Sequence, residues 1–331
     1  MLRSACLIFN PVAGNSNPEV DLATIQAFLE PEIDLDVRLT TEEVDADQLA
    51  REAVERGVEA VIASGGDGTL SAAATALIGT DIPLGIISRG TANAFATALG
   101  LPDTLEEACQ TILGGATQVV DAAYCNDRPM ILLAGIGFEA ETVERASREI
   151  KTRLGMLAYI VAGVDQLRNY ELFDVEIETD DQIVRTSAAA VTVANAAPPT
   201  SILAQGPAKI LFDDGLLDLT IVASVNRVGA ITASYNLLQS ALRGDAIERD
   251  DVGYLRAKRV KIITDPPQKV AVDGEIIGTT PVEITCIPGG LRIFTPQTEK
   301  EELVQKLDGL PNLEIVQKEA SDEESDWVQR E

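Results

Sequence analysis

Residues 60–69 read Ala-Val-Ile-Ala-Ser-Gly-Gly-Asp-Gly-Thr. A short apolar run, Ala60 to Ser64, breaks into glycines, and a helical pattern opens at Thr69. Strand, glycine turn and helix in that order put the turn beyond the carboxyl end of a parallel strand, where open α/β sheets bind ligands. Glycines let backbone N–H groups approach phosphate oxygens, and the start of the helix adds partial positive charge. Asp67 suits a metal ion or metal-bound water, since a carboxylate aimed at bare phosphate would repel it. A tight turn with no ligand is the competing reading. The full string Gly65-Gly66-Asp67-Gly68-Thr69 in this setting argues against it.

The flanking sequence repeats the pattern. Short β-branched runs at Ser4–Asn10, Leu35–Leu39, Pro83–Ile87 and Gln118–Tyr124 alternate with helical stretches near Glu19–Phe28, Asp45–Arg56, Thr69–Ile78, Thr91–Leu99 and Leu105–Leu113. This predicts a doubly wound α/β domain over residues 1–125, with parallel strands and helices on both faces. Two further strand-end turns share the rim: Asn10-Pro11-Val12-Ala13-Gly14 and Gly90-Thr91-Ala92-Asn93. Neither is a Walker A loop, because no Gly-Lys-Ser/Thr is present.

After residue 125 the pattern changes. An amphipathic helix is expected over Glu139–Leu167, then runs of strand character without regular helices between them. These are Phe173–Thr179, Ile183–Asn195, Leu217–Ala223, Arg259–Thr264, Lys269–Val272, Val282–Cys286 and Leu291–Phe294, with one helix at Val228–Leu242. An antiparallel β-sandwich domain over residues 126–294 is the natural reading. One helix near Glu299–Leu307 and an acidic, disordered tail over 311–331, containing Asp322-Glu323-Glu324, are expected to follow.

Composition narrows the chemistry. Histidine is absent from all 331 residues, so Ser-His-Asp, Cys-His and His-ligated metal chemistries are excluded. A general base must then come from Asp, Glu, Lys, Tyr or Cys. The formal charge of −27 argues against nucleic acid as a partner. Cys6, Cys109, Cys125 and Cys286 form no CxxC pair and read as buried free thiols of a reducing compartment. No stretch reaches the ~20 apolar residues that span a bilayer, and the start of the chain reads as a strand, not a signal peptide. A cytoplasmic protein with transient membrane contact is the expectation.

Two acidic clusters lie in the second half, Leu211-Phe212-Asp213-Asp214-Gly215-Leu216-Leu217-Asp218 and Val272-Asp273-Gly274-Glu275. Each also reads as a hairpin turn. Carboxylates with exposed carbonyls in the first would suit Mg²⁺.

In their order along the chain, these five motifs resemble the bacterial diacylglycerol-kinase-like lipid kinases, related to diacylglycerol and sphingosine kinases. The resemblance spans roughly residues 5–297. It implies a phosphofructokinase-like nucleotide domain, a β-sandwich lipid and metal domain, a cleft between them, and a chain end (about 295–310) that returns to the first domain. It implies that ATP is held by Asn10, Pro11, Val12, Ala13, Gly14, Gly65, Gly66, Asp67, Gly68, Thr69, Thr91 and Asn93, with Thr40 or Thr41 a weaker match. Glu275 matches the proton acceptor, with Asp273 as an assisting carboxylate. Asp214 and the carbonyls of Leu211 and Leu216 match a Mg²⁺ site. The implied reaction is phosphorylation of a lipid hydroxyl by ATP, with diacylglycerol the leading acceptor and only peripheral membrane contact.

The chain departs from the family pattern twice. The glycine loop continues with Ser71-Ala72 in place of Asn-Glu, and the Gly-Thr-x-Asn segment with Ala94 in place of Asp. These changes favour the alternative of a catalytically silent nucleotide- or lipid-binding regulator, whereas Asp67 and Glu275 favour an enzyme. An NAD kinase or phosphofructokinase-like enzyme is less consistent with the two acidic clusters. Arg145, Arg148, Lys151 and Arg153 form a basic stretch that reads as a solvated face or as a contact for anionic lipid or ATP phosphates, and with Leu157, Ile160 and Val161 it is the candidate segment for touching a membrane. Exposed sandwich edges would let two copies pair.

Overall fold

The computed structural model describes residues 4–137, 140, 172–198, 201–204, 210–223, 250–296 and 314–317. The expected helices at 139–167 (Ala140 apart), 228–242 and 299–307, the basic stretch and the acidic end lie outside them.

The first part alternates β1 (Ser4–Phe9), α1 (Pro18–Leu29), β2 (Asp34–Leu39), α2 (Ala46–Glu55), β3 (Val61–Gly65), α3 (Asp67–Leu77) and β4 (Leu84–Ser88), followed by α4 (Ala94–Ala98) and α5 (Leu105–Gly114). The four strands run parallel in the order β2-β1-β3-β4. They are nearly continuous apolar runs because both faces are covered. In β1, Cys6 and Ile8 join a core with α2 and α3, while Ala5, Leu7 and Phe9 join one with α1 and α5. Helix starts follow local chemistry. Asn17 accepts from the Glu19 N–H ahead of Pro18, Asp45 from Gln48 and Thr104 from Glu107. Because α1 and α3 leave β1 and β3 toward opposite faces, a crevice opens between the ends of these two neighbouring strands. It is the topological switch point of the sheet.

Next come β5 (Thr117–Cys125), β6 (Arg128–Met130), β7 (Leu133–Gly137), β8 (Phe173–Thr179), β9 (Gln182–Ala188), β10 (Ala190–Ala194), β11 (Leu217–Val222), β12 (Val252–Ala257), β13 (Arg259–Asp265), β14 (Lys269–Val272), β15 (Glu275–Thr279), β16 (Val282–Phe294) and β17 (Glu314–Gln317). Strands β12-β11-β10-β7-β14-β15 make one antiparallel sheet. It packs on the β9-β8-β13-β16 half of the other sheet through a shared core that includes Ile177, Val184, Ile262, Ile284, Val193, Leu219 and Leu255. This is the expected second, antiparallel region.

Three expectations change in detail. The run Gln118–Tyr124 was expected as a fifth parallel strand. Instead, β5 is antiparallel to β16 and turns through Asn126 (φ 51°) straight into β6, with no crossover helix. The run Ile183–Asn195 divides at Ala189 into β9 and β10, which belong to different sheets. Runs Val282–Cys286 and Leu291–Phe294 are one strand. Pro288-Gly289-Gly290, which reads as a turn, is a bulge in it.

Strand β16 ties the molecule together. Its first half pairs with β13 and β5, and its end pairs with β5 and, through Ile293 and Leu84, with parallel β4. Ile287 faces Ala122 and Leu291 faces Val120, so three residues oppose Asp121 alone. Asp121, which is buried, organises this bulge. Its Oδ1 accepts the Gly289 N–H at 2.7 Å, its Oδ2 accepts the Gly215 N–H at 2.6 Å, and its own N–H donates to the Phe212 carbonyl at 2.6 Å. All four cysteines are buried free thiols, and burial pushes Cys109 up to about 12 and Cys125 up to about 11.

Asp121→Asn keeps the shape but turns an NH₂ toward one of these N–H donors. Urea denaturation should show a loss of about 2–4 kcal/mol, the cost of an unmet buried hydrogen bond to a charged group. A loss under about 0.5 kcal/mol, the size of an ordinary surface substitution, would mean that the bulge holds without its carboxylate.

Candidate active site

Three strand-end turns meet at the crevice, and direct contacts join them. Asn10 uses both ends of its amide: Oδ1 accepts the Val12 N–H at 3.1 Å and Nδ2 donates to Thr69 Oγ1 at 2.8 Å. The first turn is thereby fastened to the start of α3. Asp67 Oδ1 accepts the Phe95 N–H at 3.4 Å, which links the glycine turn to α4. A Cβ on Gly90 would lie 2.9 Å from Gly66 Cα, so the two turns touch only because Gly90 carries no side chain. Gly66 caps α3 without a side-chain hydrogen bond, which leaves the first N–H groups of the helix directed at the crevice.

The crevice encloses about 630 Å³, a volume suited to a small-molecule ligand. Of the predicted residues, Asn10, Val12, Ala13, Thr40, Gly66, Asp67, Gly68 and Thr69 line it, as does Thr41. Pro11, Gly14, Gly65, Thr91 and Asn93 do not. Gly65 ends β3 beneath the turn, Thr91 is exposed, and Asn93 (φ 48°) caps α4. The sequence reading missed Glu42, Asp45 and Ala46, which lie where β2 gives way to α2. The Asp45 cap was the signal available for them. Three carboxylates (Glu42, Asp45 and Asp67) and no Lys or Arg line the space. A polyphosphate entering it needs backbone N–H donors and an accompanying divalent cation.

The Asp273-Gly274-Glu275 turn joins β14 to β15. Asp273 (φ 47°) was expected to assist the base. In the structure its carboxylate holds the backbone instead, accepting N–H groups of Ile131 at 2.9 Å, Leu132 at 3.0 Å and Leu133 at 3.0 Å. Ile131, Leu132 and Leu133 share a hydrophobic cluster with Leu70, Ala72, Ala94 and Phe95, so the turn is moored to the helices that follow the glycine loops. Burial pushes Asp273 up to about 6; the three N–H donors oppose that rise and nearby Glu275 adds to it. Glu275 itself projects outward, its side chain 75% exposed and 3.3 Å from Arg128.

The 211–218 loop does not fit the expected magnesium role. Asp214 Oδ1 accepts the Leu216 N–H at 3.1 Å, and Oδ2 is paired with Arg256 Nη2. Arg256 Nε also holds the buried Asp218 at 3.1 Å. One Asp214 oxygen therefore has a backbone donor and the other an ion-pair partner, and the guanidinium supplies the charge a cation would bring. Among the described residues, no group of three or more His, Cys, Asp or Glu side chains is arranged to hold a metal.

Comparison with known proteins agrees with this architecture. A family described as "Diacylglycerol kinase catalytic domain" matches residues 4–125, and "YegS C-terminal NAD kinase beta sandwich-like domain" matches residues 133–295. The chain is 30% identical to a diacylglycerol kinase of Bacillus subtilis (strain 168), over 91% of this chain and 99% of that one. It is 32% identical to a Xanthomonas oryzae pv. oryzae protein named "Probable lipid kinase YegS-like", over 86% and 94%. The crystal structure of a diacylglycerol kinase from Bacillus anthracis str. Sterne has the same fold, with a TM-score of 0.70 at 24% identity, covering 89% of this chain and 97% of that one.

A carboxyl whose folded pKa lies above its unfolded value, near 4, stabilises the fold fully below about 4 and loses that contribution as pH rises through about 6. The Tm of the wild type should therefore fall relative to that of Asp273→Asn between pH of about 4 and about 7. Parallel curves would refute the raised value. Arg256→Met leaves Asp214 and Asp218 without their cation and should cost about 3–5 kcal/mol in urea denaturation. Without nucleotide, the wild-type Tm should not respond to Mg²⁺ or chelator. A rise with Mg²⁺ would return the metal role to the loop.

Proposed function

The chain belongs to the diacylglycerol kinase family of lipid kinases, and from that premise we propose that it transfers the terminal phosphate of Mg-ATP to the hydroxyl of a diacylglycerol-like lipid. The observation that carries this reading is the glycine turn at the switch point, fastened to the first turn by the bond from Asn10 to Thr69.

The chain's own residues supply positioning and charge. Backbone N–H groups at the start of α3 meet the phosphates. Thr40, Thr41, Glu42 and Asp45 offer polar groups to the sugar and base. Magnesium arriving with the nucleotide neutralises phosphate charge, and Asp67, a carboxylate on the cleft wall, suits its bound water. Glu275 takes the proton of the attacking lipid hydroxyl, a task no histidine is present to perform. Its exposure suits a base that must meet a substrate coming from a lipid surface. Among the described residues no helix is long and apolar enough to cross a membrane, which is consistent with peripheral contact.

A second reading, a regulator that binds nucleotide without turnover, draws on Ala72. This small apolar residue lines the cleft where the family pattern has a carboxylate.

Purified protein incubated with labelled ATP, Mg²⁺ and a panel of lipid alcohols in micelles should yield labelled lipid. Glu275→Gln should lower kcat by about 10²–10⁴-fold with the KM for ATP little changed, the loss typical of removing a general base. ATP binding with no labelled product from any acceptor would favour the regulator. Full activity in Glu275→Gln would remove this residue from the mechanism.

A further inference from the structure

Arg89 follows β4 directly, yet its side chain turns back beneath the first strand-end turn and is only 2% exposed. Nε donates to Asp21 Oδ2 on α1 at 2.8 Å, and Nη1 donates to the Asn10 carbonyl at 2.9 Å. The guanidinium carbon lies 4.3 Å from the centre of the Phe9 ring. Asp21 also accepts the hydroxyl of Ser16, at the far end of the same turn. The backbone takes part as well: the Arg89 N–H donates to the Gly65 carbonyl at 2.7 Å, and the Arg89 carbonyl would lie 2.4 Å from a Cβ on Gly14. The turn crosses Arg89 so closely that only glycine, here at φ 81°, can occupy that position.

One residue therefore sets the positions of both ends of the first turn, the end of β3 and the start of α1. The walls of the cleft carry no cation, so phosphate binding depends on where backbone N–H groups point. Arg89 stands behind Asn10, whose side chain fastens the start of α3, where such N–H groups lie. A planar guanidinium fixes several directions at once, which a flexible ammonium does not. Its Nη2 is buried with no hydrogen-bond partner, an unmet donor beside a turn that lines the cleft.

We propose that Arg89, anchored by Asp21, is the positioning residue for the nucleotide's phosphates, holding the 10–16 turn and, through the bond from Asn10 to Thr69, the start of α3 whose N–H groups meet them. The assignment rests on the kinase reading and extends it to a residue that touches no part of the nucleotide's base or sugar. Its signature is selective: affinity should fall for ATP and not for adenosine.

Direct binding, measured by calorimetry, tests this without turnover. Arg89→Lys keeps the charge and loses the planar fork. The pair Arg89→Met with Asp21→Leu removes both charges together, so that neither is left buried alone if a single variant unfolds. Both proteins, shown to be folded by their thermal transitions, should bind ATP at least about tenfold more weakly, as expected for one charge-assisted hydrogen bond. Adenosine affinity should stay at the wild-type level. Wild-type affinity for ATP in the variants, or an equal loss of ATP and adenosine, would overturn the assignment. Wild-type protein that binds no ATP would overturn both the assignment and the kinase reading.

Discussion

One buried carboxylate decides whether the two halves of this protein meet in register. Asp121 lies where β5 faces the bulge of β16, and its two oxygens reach N–H groups from segments 74 residues apart, Gly215 and Gly289. Together with the bonds from the Asp121 N–H to Phe212 and from Gln118 to Asp213, these contacts fix the loop before β11 to β5 and the long strand. Phe212, Val120 and Leu291 pack into one core beside them. Burying a carboxylate is expensive unless its lone pairs are used, and here backbone N–H donors use them. The mooring of Asp273 to residues 131–133 repeats the device at the other end of the same region. In the second case the device puts the turn that carries Glu275 against the sheet behind it.

The α/β half was legible because each local signal agreed with the global one. Ala60 to Thr69 shows strand, turn and helix in ten residues, and its neighbours repeat the rhythm. The second half was legible in kind but not in pairing. Nothing around Ala189 announces that β9 and β10 leave for different sheets, since the residues on either side are small and apolar. Gly289 and Gly290 mark a turn and a bulge equally well, and only the partner strand decides between them. The site divides in the same way. Asn10, Asp67 and Thr69 sit in strings whose chemistry is local. Arg89, Asp21 and Asp121 act through partners tens of residues away, so sequence spacing could not disclose them. Asp273 was found for the wrong task. As a short carboxylate beside a glycine it suggested catalysis, and the structure spends it on backbone N–H groups.

The charge balance has a pattern of its own. On the proposed function, a chain of formal charge −27 must still attract an anionic nucleotide into a cleft walled by carboxylates. Its arginines at this end are turned inward: Arg89 faces Asp21, and Arg256 faces Asp214 and Asp218. They neutralise internal acids and shape loops, so the field of the cleft itself is left to backbone dipoles and to the metal that comes with the nucleotide. Binding should accordingly be governed by the cation-bound form of the nucleotide more than by total nucleotide.

The course of β16 also bears on how the chain is made. A polypeptide emerges from the ribosome from its first residue, and domains generally fold as units in that order. Here the parallel sheet cannot be finished on that schedule, because the strand that covers the edge of β4 ends at Phe294. Until then β4 presents an open, apolar edge, the kind of surface on which nascent chains stick to one another. The half that carries the glycine turns, although written first, is completed almost last.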